Sequence, residues 1–464
     1  MNHSPRLAQL TDRDPHIQLP LQMQTDTCIV GAGIAGVMTA YFTLLYGDQK
    51  VILLDANRIA HGATGHNAGQ IAPYFEKSFD EIVAQYGREQ AHDAQQAIRD
   101  ARAHLEEIVD HADLQTPVHS FVGYAWCSTD HQIEDHLHKK YTREITHSDF
   151  DAIFVREDHP RYQEWTERYP GLFDALTAEQ IRHHLQTDSD DFIAVLACKK
   201  WVTNSALLCE ELVQWMQQRH PDRFAVYEHS PVSQIDLRDD HVMLTIIDNE
   251  HHSWSRIQAE RIVLCTNGFD HFTITNHVGD DIDHRFHESV QWLVGYMSAY
   301  LDEPGQTPTA ISYFMEDNVL ESATEDDVYF YLTRRPYHIA WADHTLLSLG
   351  GPEMSIGERI AYDRQAQQPD RAHEQNERFL RQYYAPYPED NEFHFRWHGL
   401  MGFTKTGLRM IGHDPRHPVL LYNLGCNGVG ILTSIHGGRK IGKILAWQIF
   451  PESVFDVRVR SDLW

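Results

Sequence analysis

The sequence has no CxxC pair, and its six cysteines, Cys28, Cys127, Cys198, Cys209, Cys265 and Cys426, stand at unrelated spacings. That excludes a disulfide framework and a zinc ribbon, and it points to a reducing cytoplasm. No window of about 18 uncharged apolar residues occurs, so a membrane span is excluded and any membrane contact is peripheral. The first twenty residues, MNHSPRLAQLTDRDPHIQLP, lack the apolar run of a secretion signal. Positive charge is scarce, with 39 Lys plus Arg against 67 Asp plus Glu and a formal net charge of −28. Such a surface disfavours nucleic acid and anionic membrane, and it serves solubility. Between Lys200 and Lys405 there is no lysine at all. Histidines are many, 32 in all, yet no HExxH pair stands among them, so no metal site is expected.

What is present is enough chain for two or three domains, since 464 residues exceed the roughly 250 to 300 at which single cores stop growing. Residues 1–24 read as a polar tail with prolines at 5, 15 and 20. An apolar strand, Thr25 to Val30, runs into GAGIAG, a helix ending near Gly47, and a second strand closing at Asp55. This is a βαβ unit of the usual size. From Ser78 one amphipathic helix, or two, carries Ile82, Val83, Ile98, Leu105 and Ile108 on one stripe. A helix capped by Asn204 or Ser205, a buried parallel-type strand at Arg261 to Gly268, a helix from Asp370 to Tyr384 and a closing strand–turn–helix follow. Parallel-type strands therefore recur at three places in the chain. The fold expected is α/β, α+β overall: a Rossmann-like domain from three segments (25–112, 195–285 and 394–464) with an antiparallel-sheet domain inserted between them (113–194 and 286–393).

Gly31, Gly33 and Gly36 form GxGxxG with Ile34 and Ala35, between a strand and a helix, and Asp55 follows 24 residues after Gly31. The glycines allow the tight turn, the approach of a pyrophosphate and close helix packing, while Asp55 and neighbouring Ala56 suit a ribose. A second glycine-rich stretch then runs through Gly62, Ala63, Thr64, Gly65, His66, Asn67, Gly69 and Gln70. Its small residues let backbone lie against a flat ligand. Near the C-terminus Gly425, Asn427, Gly428, Val429 and Gly430 open the last helix, whose positive end favours negative charge nearby.

With these segments in hand, the sequence resembles the D-amino-acid oxidase superfamily of FAD-dependent amine and amino-acid oxidoreductases. That superfamily includes glycine and sarcosine oxidases, γ-glutamylputrescine oxidoreductase and D-amino-acid dehydrogenase. Besides GAGIAG with Asp55, four ordered matches carry the resemblance: the loop GATGHNAGQIAP, PVSQI followed by RIVLCTNG, RWHGLMGFTKTGLRMIG, and NLGCNGVGI. It implies FAD as cofactor, with Val232 at the adenine, Thr266, Asn267 and Gly268 beside the dinucleotide, and Trp397 and Gly399 as the Trp-x-Gly strand. It implies that His66 lies at the flavin, either free or as a covalent tether; Met401 stands where another branch carries a tethering cysteine, and Cys426 reads as a packed residue.

The resemblance further implies removal of a hydride from an amine-bearing carbon to flavin N5, hydrolysis of the imine, and transfer of electrons to oxygen with release of hydrogen peroxide. The substrate is expected to be a small amine, an amino acid or a polyamine-like compound. A quinone-reducing dehydrogenase, a flavin-binding subunit without turnover and an NAD enzyme are the alternatives. Lys405 and His66 are the cation candidates for promoting reaction with oxygen. Arg334 and Arg335 are candidates for a substrate carboxylate, and Tyr331, Tyr296, Trp292 and Trp341 for an aromatic wall.

Overall fold

The computed structural model describes residues 2–11, 19–142, 152–248, 253–268, 271–277, 279, 281–314, 329–339, 342–355, 362–384 and 395–457. Two mixed sheets organise them. The first, of nine strands, is built round Gln22–Val30, which pairs in parallel with Val51–Leu54 on one side and Ser253–Leu264 on the other. Phe224–Tyr227 extends it in parallel beyond Val51–Leu54, and His417–Leu424 pairs in parallel with the end of Ser253–Leu264. The start of Ser253–Leu264 instead joins an antiparallel meander with Val242–Asp248 and Val232–Leu237. In this register Val30 lies between Leu54 and Leu264, and Leu264 is abreast of Tyr422. The carboxyl ends of the parallel strands therefore meet along one edge, where open α/β sheets bind ligands.

Alternation decides what each face of this sheet touches. Ile29, Val51 and Leu53 join a core with the helices Ile34–Tyr46, Arg88–His111, Ser205–Arg219 and Gly430–Leu445. Cys28, Val30, Ile52 and Leu54 join a separate core on the opposite face. Burial on both faces explains why the sequence of these strands is a continuous apolar run. The amphipathic stretch after Ser78 is two helices, Phe79–Tyr86 and Arg88–His111, because Gly87 between them adopts φ +89°. Asn204, rather than Ser205, caps the next helix: its Oδ1 accepts from the N–H of Ala206 at 3.0 Å and Leu207 at 3.3 Å.

The second sheet has ten strands and is mainly antiparallel, in the order Phe395–Thr404, Val290–Asp302, Ala342–Ser355, Tyr329–Ile339, Thr309–Phe314, His119–Cys127, Ala194–Val202, Ala152–Arg156 and Asp174–Leu176, with Gln70–Ile71 added on Ala194–Val202. Two neighbours in it, Thr309–Phe314 with His119–Cys127 and Ala152–Arg156 with Asp174–Leu176, run parallel, so the antiparallel expectation holds for most of the sheet but not all of it. Two strands that the sequence boundaries assign to the cofactor-binding segments, Ala194–Val202 and Phe395–Thr404, lie here. The helix Asp370–Tyr383 covers one face through Phe379, Leu380 and Tyr383, against Trp126, Tyr313 and Phe330.

The N-terminal residues depart furthest from expectation. They are no loose polar tail: Ser4, Pro5 and Arg6 are buried, Leu7–Gln9 forms a turn of 3₁₀ helix, and the first strand begins at Gln22. Among the described residues no helix is long and apolar enough to cross a membrane, and the six cysteines are free, five of them buried.

A buried ion pair fastens the edge of the first sheet. Arg285 Nη2 donates to Asp414 Oδ2 at 2.6 Å, and the Tyr422 hydroxyl donates to the same oxygen at 2.9 Å. Removing one partner strands the other charge in the interior. Asp414→Ala is expected to lower stability by about 3 kcal/mol in urea denaturation, with the double variant Arg285→Met/Asp414→Leu recovering part of the loss; a loss near zero for the single variant would show that the pair carries no weight.

Candidate cofactor and active site

A cavity of about 510 Å³ opens between the two sheets at the carboxyl ends of the parallel strands. Its size is that of a typical cofactor or ligand pocket. From the first sheet it receives the turn Gly31–Ala35, Asp55, Val232, Thr266 and Asn267, and from the second Gly295, Met297, Tyr331, Glu353 and Gly399. The loop Gly62–Gln70 and the turn Gly428–Gly430 complete it.

Two helices point their N-termini at this cavity. Neither Ile34–Tyr46 nor Gly430–Leu445 has a side-chain cap from its own N-cap residue, and Gly33, Ile34 and Ala35 of one and Val429, Gly430 and Ile431 of the other line the wall. Two positive helix ends converging on one space suit a ligand that carries negative charge at two places. Thr266, on the same wall, has a buried hydroxyl with no hydrogen-bond partner among the described residues. Asp55 is held by the backbone it faces: its Oδ2 accepts from the N–H of Ala32 at 2.7 Å and its Oδ1 from Asn57 at 2.8 Å. Burial raises its pKa, and those two N–H groups pull it back toward the charged form.

The loop Gly62–Gln70 is fixed by bonds from both sides. The Asn67 amide donates to the Thr64 carbonyl and to Ser205 Oγ, both at 2.9 Å, and its Oδ1 accepts from the N–H of Gly69 at 2.7 Å. Gln70 Nε2 reaches Thr333 Oγ1 at 2.6 Å in the second sheet. The indole N–H of Trp397, a fully buried residue, donates to the His66 carbonyl at 3.0 Å. Trp397 thus stands behind the loop rather than in the cavity, while Gly399 leaves room for His66 on the same strand.

His66 lines the cavity with Nδ1 at 2.8 Å from the Gly62 carbonyl oxygen. Nδ1 therefore carries the proton and donates, and Nε2 is left as an acceptor. Burial pushes the imidazole down to about 4, so it is neutral at physiological pH. The expectation of His66 as a cation is corrected by that desolvation.

The family model described as DAO, FAD dependent oxidoreductase, matches residues 26–444. The chain belongs to this FAD-dependent oxidoreductase family. It is similar to the probable oxidoreductase OrdL of Haemophilus influenzae, 36% identical over 83 residues that make up 17% of this chain and 19% of that protein. It is also similar to γ-glutamylputrescine oxidoreductase of Escherichia coli, 36% identical over 66 residues, 14% of this chain and 15% of that one. Each match thus spans less than a fifth of that relative's length. Among solved structures, the glycine oxidase of Geobacillus kaustophilus superposes with a TM-score of 0.65 at 16% identity, covering 94% of this chain and 99% of that one. The Bacillus cereus glycine oxidase gives 0.63, also at 16% identity, over 91% and 94%. At such identity the likeness shows the fold. FAD is the cofactor of the family, and the two helix ends, Asp55 and the unpartnered Thr266 hydroxyl fit it.

Against this FAD-dependent oxidoreductase frame, most residues expected at the site do line the cavity, including Gly31, Gly33, Asp55, Ala56, Gly62, His66, Val232, Thr266, Asn267 and Gly428. Others hold the wall from behind. Asn427 Oδ1 accepts from the N–H of Thr404 at 2.8 Å, Gly425 and Gly36 pack under their turns, Gly65 lies beneath its loop, and Gly268 sits against Trp292. Five other residues expected at the site lie outside the cavity, among them Trp292, which packs on Gly268. Lys405 is exposed and away from the cavity. Tyr296 alternates to the opposite face from Gly295 and Met297 and packs 5.9 Å from His398. Arg334 points away, bonding Gln186 and lying over Tyr384. Arg335 is buried beside Tyr337, donating to Gln9 at 3.2 Å. Trp341 lies outside the described residues.

The cavity also gathers side chains that sequence reasoning missed, chiefly Tyr74, Glu76, Met297, Glu353, Tyr362, Arg364 and Arg409. Arg409 is occupied below the C-terminal turn, with Nε at 2.5 Å from Asn423 Oδ1 and Nη1 at 3.3 Å from the Gly425 carbonyl. Lys200, fully buried, places Nζ 5.6 Å from the ring of Tyr74 and 3.3 Å from Ser312 Oγ. The period-two alternation of ACKKWV already separates an inward Lys200 from an outward Lys199. Asp55→Ala is expected to weaken FAD binding to the apoprotein by about a hundredfold, read by quenching of flavin fluorescence, because a shaped acceptor and the turn it holds are lost together; unchanged affinity would remove Asp55 from the site.

Proposed function

We propose that this chain oxidises a cationic amine with FAD, taking a hydride from the carbon that bears the nitrogen. The observation that carries the reading is the pair of carboxylates in the cavity, Glu76 and Glu353, with Tyr331 close enough to feel both. Both side chains open to the cavity while protein surrounds them, so burial raises both pKa values, and Glu76 adds to the rise at Glu353. A substrate ammonium is attracted there, whereas Arg334 and Arg335 face elsewhere, Arg409 is occupied by Asn423, and the remaining cavity arginine, Arg364, acts on Asp55 and His66. This favours an amine or polyamine-like compound over an α-amino acid.

In this reading Gly31–Ala35 and Asp55 hold the dinucleotide, Val232 the adenine end, and Gly62–Gln70 with Gly428–Gly430 the ring, without a covalent bond to His66. FAD, when bound, supplies the two-electron acceptor for the hydride. The chain supplies orientation and a proton acceptor: a substrate amine must be neutral before it can lose hydride, and Glu353, pushed to about 7, takes that proton on its carboxylate. The imine that leaves hydrolyses in water.

Oxygen is the acceptor in this reading, with Lys200, one layer behind Tyr74, as the nearby cation. A second reading, a dehydrogenase passing electrons to a quinone, is favoured by the exposure of Lys405 and the neutrality of His66. Stopped-flow mixing of reduced protein with air separates them: fast reoxidation supports oxygen, slow reoxidation the quinone.

The amine reading is tested by mixing the protein anaerobically with a diamine, a monoamine and an α-amino acid while following the flavin's visible absorbance. The diamine is expected to bleach it fastest. Because the folded-state pKa of Glu353 is raised, its carboxylate is ionised only above about 7, so kcat/KM for the diamine is expected to rise as pH increases through 7. Glu353→Gln should lower kcat/KM about a hundredfold and flatten that rise. Preference for the α-amino acid, or a pH profile unaltered in the variant, would sink the assignment.

A further inference from the structure

The N-terminal residues cross the back of the loop Gly62–Gln70 as a strap. Asn2 exchanges hydrogen bonds with His398, donating to its carbonyl at 3.1 Å and accepting from its N–H at 3.0 Å, and the His3 N–H donates to the Arg396 carbonyl at 2.9 Å. Ser4 Oγ donates to the Gly65 carbonyl, the Pro5 carbonyl accepts from the Tyr337 hydroxyl at 2.7 Å, and the Arg6 carbonyl accepts from the Asn204 amide at 3.1 Å. The strap and the loop are fitted to each other at two glycines. A Cβ on Gly65 would run into Leu7, and one on Gly69, at φ +74°, would meet the Thr203 carbonyl oxygen first and stand 3.0 Å from Arg6 Nη2.

Arg6 is the unusual member. Its side chain is fully buried, and none of its three guanidinium nitrogens has a hydrogen-bond partner among the described residues. The Trp397 ring lies 5.9 Å from the guanidinium carbon, burial pulls the pKa well down, and the groups whose charge reaches it are the same-sign Arg335 and the Tyr331 and Tyr337 hydroxyls. An unpaired charge in the interior is among the costliest groups a fold can carry, and an apolar side chain of that length would be more stable there. Proteins accept such costs where function gains. On the other side of Gly69 and Tyr331 lies the cavity.

We propose that residues 2–10 are a working part of the cofactor site, with the strap holding the loop at its glycines and Arg6 setting an unneutralised positive charge one glycine behind the wall. That charge favours negative charge on bound FAD. The inference rests on the reading that the ring lies along Gly62–Gln70, and it makes Arg6 a positioning residue that touches neither substrate nor cofactor.

Sulfite tests it, because its addition to flavin leaves negative charge on the ring, is seen as loss of visible absorbance and needs no amine substrate. Arg6→Met is expected to melt no lower than the parent protein and to retain FAD, yet to bind sulfite at least about tenfold more weakly, with Arg6→Lys restoring most of the affinity. Leu7→Ala, which loosens the strap without touching the charge, is expected to weaken FAD binding while leaving sulfite affinity within about threefold. Unchanged sulfite binding in Arg6→Met, or no rescue by lysine, would overturn the proposal. So would failure of Arg6→Met to fold, since the guanidinium would then be a structural support. A protein that binds sulfite as expected but is reduced by no amine would leave this inference standing and remove the amine reading.

Discussion

One hydrogen bond, from the Trp397 indole to the His66 carbonyl, joins the two halves of the molecule at the point where chemistry is placed. The loop that receives it leaves the first sheet after Asp55, and the tryptophan stands on the edge strand of the second sheet. That contact holds the middle of the loop between the sheets, and the pairing of Gln70–Ile71 with Ala194–Val202 holds its end there. Asn67 and Gln70 add further ties, one to the helix at Ser205 and one to Thr333, so the loop is determined from three directions. A wall fixed in this way loses little entropy when a flat cofactor arrives, which is how a rigid surround supports chemistry it does not perform.

Charge is distributed across the cavity in a consistent manner. Helix ends and the Gly-rich turns place positive potential along one wall, where the proposed reading puts the phosphates and ring of FAD. Glu76 and Glu353 bring two carboxyl groups to the same cavity, where the proposed reading puts a cationic substrate. Arg6 and Lys200 stand behind the wall, buried and one residue layer away, so their fields act without their side chains occupying the space. The histidine that sequence made prominent is neutral and held by a backbone carbonyl, with Nε2 left as an acceptor.

The glycine-rich side of the cavity is legible because GAGIAG, Asp55 and the later glycines are local patterns with local causes, of the kind that phosphate binding imposes on consecutive residues. The side proposed for the substrate is not. Glu353 comes from the far end of a long strand and Glu76 from a loop, and only the pairing of sheet strands brings them together. Two arginines after an aromatic strand look like a clamp in sequence, while the orientation of Arg334 and Arg335 depends on Gln186 and Gln9, distant in the chain. The N-terminal residues hide their packing for a related reason. Their prolines and polar residues suggested a solvated segment, whereas Pro5 and Arg6 are buried by partners more than 190 positions away.

The most direct test of this arrangement is a crystal structure of the protein with FAD. The ring is expected in contact with His66 to Gln70 on one side and Gly428 to Gly430 on another, with the strap in place and Arg6 behind Gly69. A ring bound elsewhere in the cavity, or a strap displaced by the cofactor, would contradict the account.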